Sequence, residues 1–131
     1  MEQRKINPWE WQNQFGFSQA IEVSGASRTL YCAGQTSLDA EGRPVHVGDM
    51  EKQIGRAMDN LAAVLSAAGF TLGDVVRLNY YTTDVGRFFA AFGAATSRLA
   101  AAQCQPSSTL LGVASLAFPE LLIEIEATAV K

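Results

Sequence analysis

Ile123, Ile125, Ala127 and Ala129 alternate with Glu124, Glu126 and Thr128 across Leu122 to Val130. A period of two belongs to an extended strand with one dry face and one wetter face. Such a strand demands a sheet, and the sheet demands a cover on its apolar side. The cover is legible upstream. Met50, Ile54, Met58, Leu61, Leu65 and Ala68 recur at steps of three and four, the stripe of an amphipathic helix. Asp49 stands at its start as a cap and Gly69 at its end, where a left-handed residue is wanted. Glu51, Lys52, Arg56, Asn60 and Ser66 fall on the back of this helix and are expected to be wet. Asp84 caps a second helix carrying Val85, Phe88, Phe92, Ala95 and Leu99 on one side.

Four more stretches read as strands. Gln19 to Ser24 and Thr29 to Gly34 are joined by Gly25-Ala26-Ser27-Arg28, a turn of hairpin length. Val75 to Thr83 is β-branched and aromatic, and Thr109 to Leu116 precedes the closing strand. Leu38 to Pro44 is a polar loop, with a further short strand pairing around Val45 to Val47. The order is ββ-α-β-α-ββ. The expectation is a single α+β domain over residues 1–131, a mixed sheet of about six strands with two helices on one face. Two helices leave the other face bare, so a second copy of the chain is expected to cover it.

Composition agrees with a subunit. Charged residues make up 18% of the chain, below the roughly 25% of average domains. Net charge is −3 and the ten Lys and Arg are scattered, so the basic stripe of a nucleic-acid binder is missing. No apolar run approaches the roughly 20 residues of a membrane span, and a cytoplasmic location is expected. Cys32, Cys104 and the lone His46 do not make a zinc set, so the cysteines read as small buried hydrophobes and His46 as a surface residue.

Few residues suggest chemistry by themselves. Glu124 and Glu126 lie about 7 Å apart on one strand face, a pair suited either to acid–base work or to a solvated outer face. Gly34-Gln35-Thr36 after a strand is a turn first and a ligand cradle second. Trp9 and Trp11 read as a seal on a sheet edge or an interface.

Three stretches together resemble the RidA/YjgF family of reactive-intermediate deaminases, from about Phe17 to Val130. Tyr31-Cys32-Ala33-Gly34-Gln35 is similar to its strand-turn ending in Ser-Gly-Gln. Gly48 through Val75, with Asp59-Asn60-Leu61, Ala67-Ala68-Gly69 and Gly73-Asp74-Val75, is similar to its first helix and the following turn. Ile123-Glu124-Ile125-Glu126-Ala127 with Ala129-Val130 is similar to its closing strand. The resemblance implies a chorismate-mutase-like fold and a homotrimer with small-molecule clefts between subunits. It also implies cofactor-independent hydrolysis of small imines and enamines.

Carried over by position, the resemblance places the water-positioning glutamate at Glu124 and the turn glycine at Gly34. Elsewhere the pattern departs. Ser108 stands where the family has the arginine that grips a substrate carboxylate, Phe17 where it has a tyrosine, Leu110 at a cysteine position and Phe92 at an asparagine position. An arginine–carboxylate hydrogen bond is worth roughly 1.5–3 kcal/mol, and a serine hydroxyl does not replace the fork. The expectation is therefore catalysis by Glu124 with Phe17, Gly34, Phe92, Ser108 and Leu110 as binding residues. Activity on 2-iminopropanoate should be weak, and no metal, cofactor, nucleic acid or membrane takes part. The alternative expectation is a trimer that binds a small apolar metabolite without turnover.

Overall fold

A computed structural model describes all 131 residues. Six strands are present: β1 (Glu2–Ile6), β2 (Ala20–Ser24), β3 (Thr29–Tyr31), β4 (Val75–Thr82), β5 (Ser107–Gly112) and β6 (Ile123–Val130). Three helices accompany them: α1 (Met50–Ala67), α2 (Val85–Ala91) and α3 (Gly93–Ala101). The α+β class is as expected, but the strands do not share one sheet. Four form a mixed sheet in the order β3-β6-β4-β5, with β4 and β5 parallel and the other neighbours antiparallel.

β1 and β2 form a separate antiparallel ribbon. The expected hairpin between Gln19–Ser24 and Thr29–Gly34 is therefore absent. The polar amino end takes β2 as its partner, in a register that brings Arg4 and Glu22 together. β3 instead pairs with β6, Tyr31 opposite Thr128. The ribbon meets the sheet at one bridge, Ser18 to Ser107, where Ser18 N–H donates to the Pro106 carbonyl at 2.9 Å.

The alternation in β6 is realised as read: Ile123, Ile125, Ala127 and Ala129 are buried, Glu124, Glu126 and Thr128 half-buried. The buried side chains join Ile54, Met58, Leu61 and Leu65 of α1 and Leu78 and Tyr80 of β4 in one apolar cluster. Asp49 caps α1 by accepting from Lys52 N–H, and Gly69 adopts φ 79°. On the back of α1, Glu51, Lys52 and Ser66 are exposed as expected, whereas Arg56 and Asn60 are half-buried. Arg56 donates to the Leu38 carbonyl, and Asn60 donates to those of Thr36 and Leu38. Buried backbone acceptors in an irregular segment need partners, and these side chains supply them.

Gln53, fully buried, likewise donates to the His46 and Glu120 carbonyls and accepts from Leu122 N–H. The loop from Leu38 to Pro44 closes on the Asp39 carboxylate, which accepts from the Glu41 and Arg43 amides. Its ends touch at the Leu38–Pro44 bridge, in place of a strand at Val45 to Val47. The second helix is broken at Phe92–Gly93 into α2 and α3. Phe92 N–H bonds back only to Phe89, one turn tightened.

Candidate functional site

The strand registers decide which candidate residues meet. Ser108 and Leu110 of β5 pair with Leu78 and Tyr80 of β4, so their side chains share the helix-covered face. Glu124 pairs with Tyr81 and therefore points to the opposite, open face. The expected site is thus split by the sheet: Phe17, Phe92, Ser108 and Leu110 lie together on one side, Glu124 and Gly34 on the other.

On the helix side, at the β5 edge, a cavity of about 290 Å³ is lined by Trp11, Phe15, Phe17, Tyr80, Phe88, Phe89, Phe92, Ser108 and Leu110. Four of the expected binding residues are here, and five wall residues were not foreseen. The signal for them is the spacing of Trp11, Phe15 and Phe17 and the Phe88-Phe89 pair. Trp11 and Phe15 stand four residues apart on a short 3-10 turn, Trp11–Phe15. Trp11 packs edge-on against Phe17, with ring centroids 5.8 Å apart. Gln105 holds this wall by donating to the Phe17 carbonyl at 3.0 Å and to Asn13 Oδ1 at 2.9 Å. Trp9 is not part of the lining.

No charged side chain faces the cavity. Ser108 Oγ has no hydrogen-bond partner within the chain, and burial pushes the Tyr80 phenol well above its ordinary range, keeping it neutral. Arg28 donates to the Ala68 carbonyl and lies 4.6 Å over the Phe70 ring, while Arg77 donates to Thr109 Oγ1 on the open face. Neither lines the pocket of its own chain.

On the open face the two glutamates differ. Glu126 Oε1 accepts from Tyr81 OH at 2.5 Å and from Asn79 Nδ2 at 3.0 Å. The Tyr81 hydrogen bond, then that of Asn79, holds the Glu126 carboxyl below its ordinary range, and the same contact raises the Tyr81 phenol. No side chain of this chain donates to Glu124. Its carboxylate lies over Gly34, where an added Cβ would meet Glu124 Cδ at 2.6 Å and Cγ at 2.8 Å. Gly34 is needed for this close approach, not for a left-handed backbone.

Neighbouring Asn79 Oδ1 is buried without a partner in the chain. No three His, Cys, Asp or Glu side chains converge in a way that would hold a metal ion. His46 is exposed, and no helix is long and apolar enough to cross a membrane.

The Endoribonuclease L-PSP family pattern matches residues 11–131. A RutC family protein of Pyrococcus horikoshii is 32% identical over 118 residues, 88% of this chain and 86% of that protein. A mouse 2-iminobutanoate/2-iminopropanoate deaminase is 32% identical over 72 residues, 55% of this chain and 51% of the enzyme. Among solved structures, a Rid-family protein of unknown function from Yersinia pestis is 40% identical, covers all of both chains and superposes with a TM-score of 0.86. The fold, the three matched stretches and these likenesses agree: the chain belongs to the RidA/YjgF family.

Proposed function

We propose that the protein is a homotrimeric hydrolase of small, uncharged imines or enamines, acting in clefts between subunits. The observation that carries this reading is the separation of Glu124 from the aromatic cavity by the sheet itself. One copy cannot bring both to a single ligand. A head-to-tail ring can, because each copy then offers its cavity to one neighbour and its Glu124 face to the other. The exposed Tyr31 and Leu111 and the partnerless Asn79 Oδ1 on the open face support such a contact. The family's named imine deaminases support the reaction class.

In the reaction, the Glu124 carboxylate takes a proton from water as the water oxygen bonds to the imine carbon, and passes that proton to the nitrogen to give a neutral carbinolamine. It then takes the carbinolamine hydroxyl proton and delivers it to the nitrogen as the C–N bond breaks, so that ammonia and the carbonyl product leave and the carboxylate is restored. Ser108 Oγ, free of internal partners, donates to or accepts from the polar end of the substrate. The absence of a charged lining residue in the cavity's own chain supports uncharged substrates, because a carboxylate carried into this wall finds no cation there.

Ammonia release tests the reading. A neutral imine generated in situ should be hydrolysed, Glu124→Gln should abolish this, and 2-iminopropanoate should be a poor substrate until Ser108→Arg is introduced. Rapid turnover of 2-iminopropanoate by the unaltered protein would overturn the account of the pocket. The almost wholly apolar lining also favours a second reading, a trimer that binds an apolar metabolite without turnover. Retention of such a molecule through purification, seen by mass spectrometry together with inertness toward every imine, would select it.

A further inference from the structure

We infer that the cavity is built for an aromatic ring, so that the substrate or ligand is an aryl compound rather than an aliphatic one. The inference rests on the reading above that this cavity is the ligand seat. Seven of its nine lining residues are aromatic: Trp11, Phe15, Phe17, Tyr80, Phe88, Phe89 and Phe92. They are not stacked in parallel. Trp11–Phe17, Phe15–Phe89, Phe88–Phe89 and Tyr80–Phe92 meet at interplanar angles of 72°, 62°, 69° and 90°. A wall of rings inclined to one another presents both ring faces and ring edges to whatever lies inside. A flat ring can take an edge from one neighbour and offer its own edge to the face of another, which a saturated ring cannot.

Size agrees. Benzene fits a closed apolar cavity of roughly 150 Å³, whereas this one has about 290 Å³. That leaves room for one aryl ring and a short arm carrying the polar group toward Ser108. Inclined rings also attract a cation, but no carboxylate of the same chain lines the cavity to pair with one. Trp11 and Phe89, half exposed, stand where the ligand would enter.

Calorimetric titration of the full-length protein with benzyl alcohol and with cyclohexylmethanol isolates the effect. The two share a skeleton, and the saturated one is the more bulky, so burial of apolar area alone would not favour the aromatic compound. Benzyl alcohol should bind about 5-fold tighter or better. Phe89→Leu, at an exposed position that leaves the core intact, should cut the preference to about two-fold or less. Equal affinities, tighter binding of cyclohexylmethanol or of tetramethylammonium, or no binding of any probe would overturn the inference.

Turnover separates this claim from the hydrolase claim. Imines made by oxidising benzylamine and cyclohexylmethylamine are compared under the same conditions. Faster hydrolysis of the cyclohexyl imine would sink the aryl preference while sustaining the hydrolase. Tight benzyl alcohol binding without any imine turnover would sustain the aryl pocket while sinking the hydrolase.

Discussion

At the scale of single residues, alternation alone placed Glu124 and Glu126 on one face and gave no reason to prefer either. The cross-strand partners supply one. Glu126 faces Asn79 and spends its Oε1 on two donors, whereas Glu124 faces the ring of Tyr81 and a bare glycine. A carboxylate with two donors on one oxygen that hold it ionised reads as a structural anion; one without donors is free to orient water. The pH dependence of stability follows from the sign of the Glu126 shift. Its folded pKa lies below the unfolded one, so its contribution is complete above the ordinary glutamate value near ~4.3 and is lost as pH falls through the depressed value. Tyr81→Phe removes the larger cause of that depression. Thermal melts between neutral pH and acid should show the variant about 1 kcal/mol less stable at neutral pH, with the gap closing below the ordinary carboxylate range. A gap that stays constant down to strong acid would show that Tyr81 acts by packing alone. The resemblance drew attention to Gly34, but its reason, a carboxylate seated where a Cβ would be, depends on contact across strands that no single-strand pattern carries.

At the scale of elements, helices were the most legible feature because a stripe of period 3.6 is recorded locally. α1 keeps its expected cap and stop. Pairing was less legible. The polar amino end carries no alternation of apolar residues, so nothing local marks it as a strand, and the hairpin-length turn after β2 points instead to the next strand along the chain. The break between α2 and α3 falls at Gly93, whose missing side chain would meet nothing within 4 Å. Phe92 keeps helical dihedrals through the break and lines the cavity with Phe88, one turn before it. Gly93→Ala adds helix propensity in open space and should stabilise the protein by about 0.5 kcal/mol in urea unfolding. A destabilisation of that size would mean that the tight turn at Phe92, not the loss of helix propensity, is what the fold needs there. The cavity wall is legible only in part: the resemblance singles out Phe17, Phe92, Ser108 and Leu110, but the meeting of Phe15 with Phe89 depends on contact across the β5 edge that no local pattern records.

At the scale of the whole molecule, the sheet is a two-sided object with one side finished. The covered side holds the apolar cluster and the aromatic cavity. The open side holds Tyr31 at 81% exposure and Leu111 at 49%, beside an interior amide oxygen with no partner. Isolated exposed apolar side chains are ordinary. Their location on the same face as the orphaned Asn79 and the unpaired Glu124 is what argues for a contact. The expected state is therefore a trimer of the 14.1 kDa chain at micromolar concentration by sedimentation equilibrium. Leu111→Glu puts a charge on that face, far from the core and outside the cavity lining. It should dissociate the assembly while circular dichroism stays unchanged, because the apolar cluster lies on the other side of the sheet. Hydrolysis requiring Glu124 should fall with the trimer fraction if, as proposed, the cleft takes its carboxylate from a second copy, whereas the cavity of a dissociated copy should keep an affinity for benzyl alcohol. A monomeric unaltered protein, or a monomeric variant that retains full turnover, would mean that Glu124 and the cavity never serve one ligand, and the site would have to be sought on a single face.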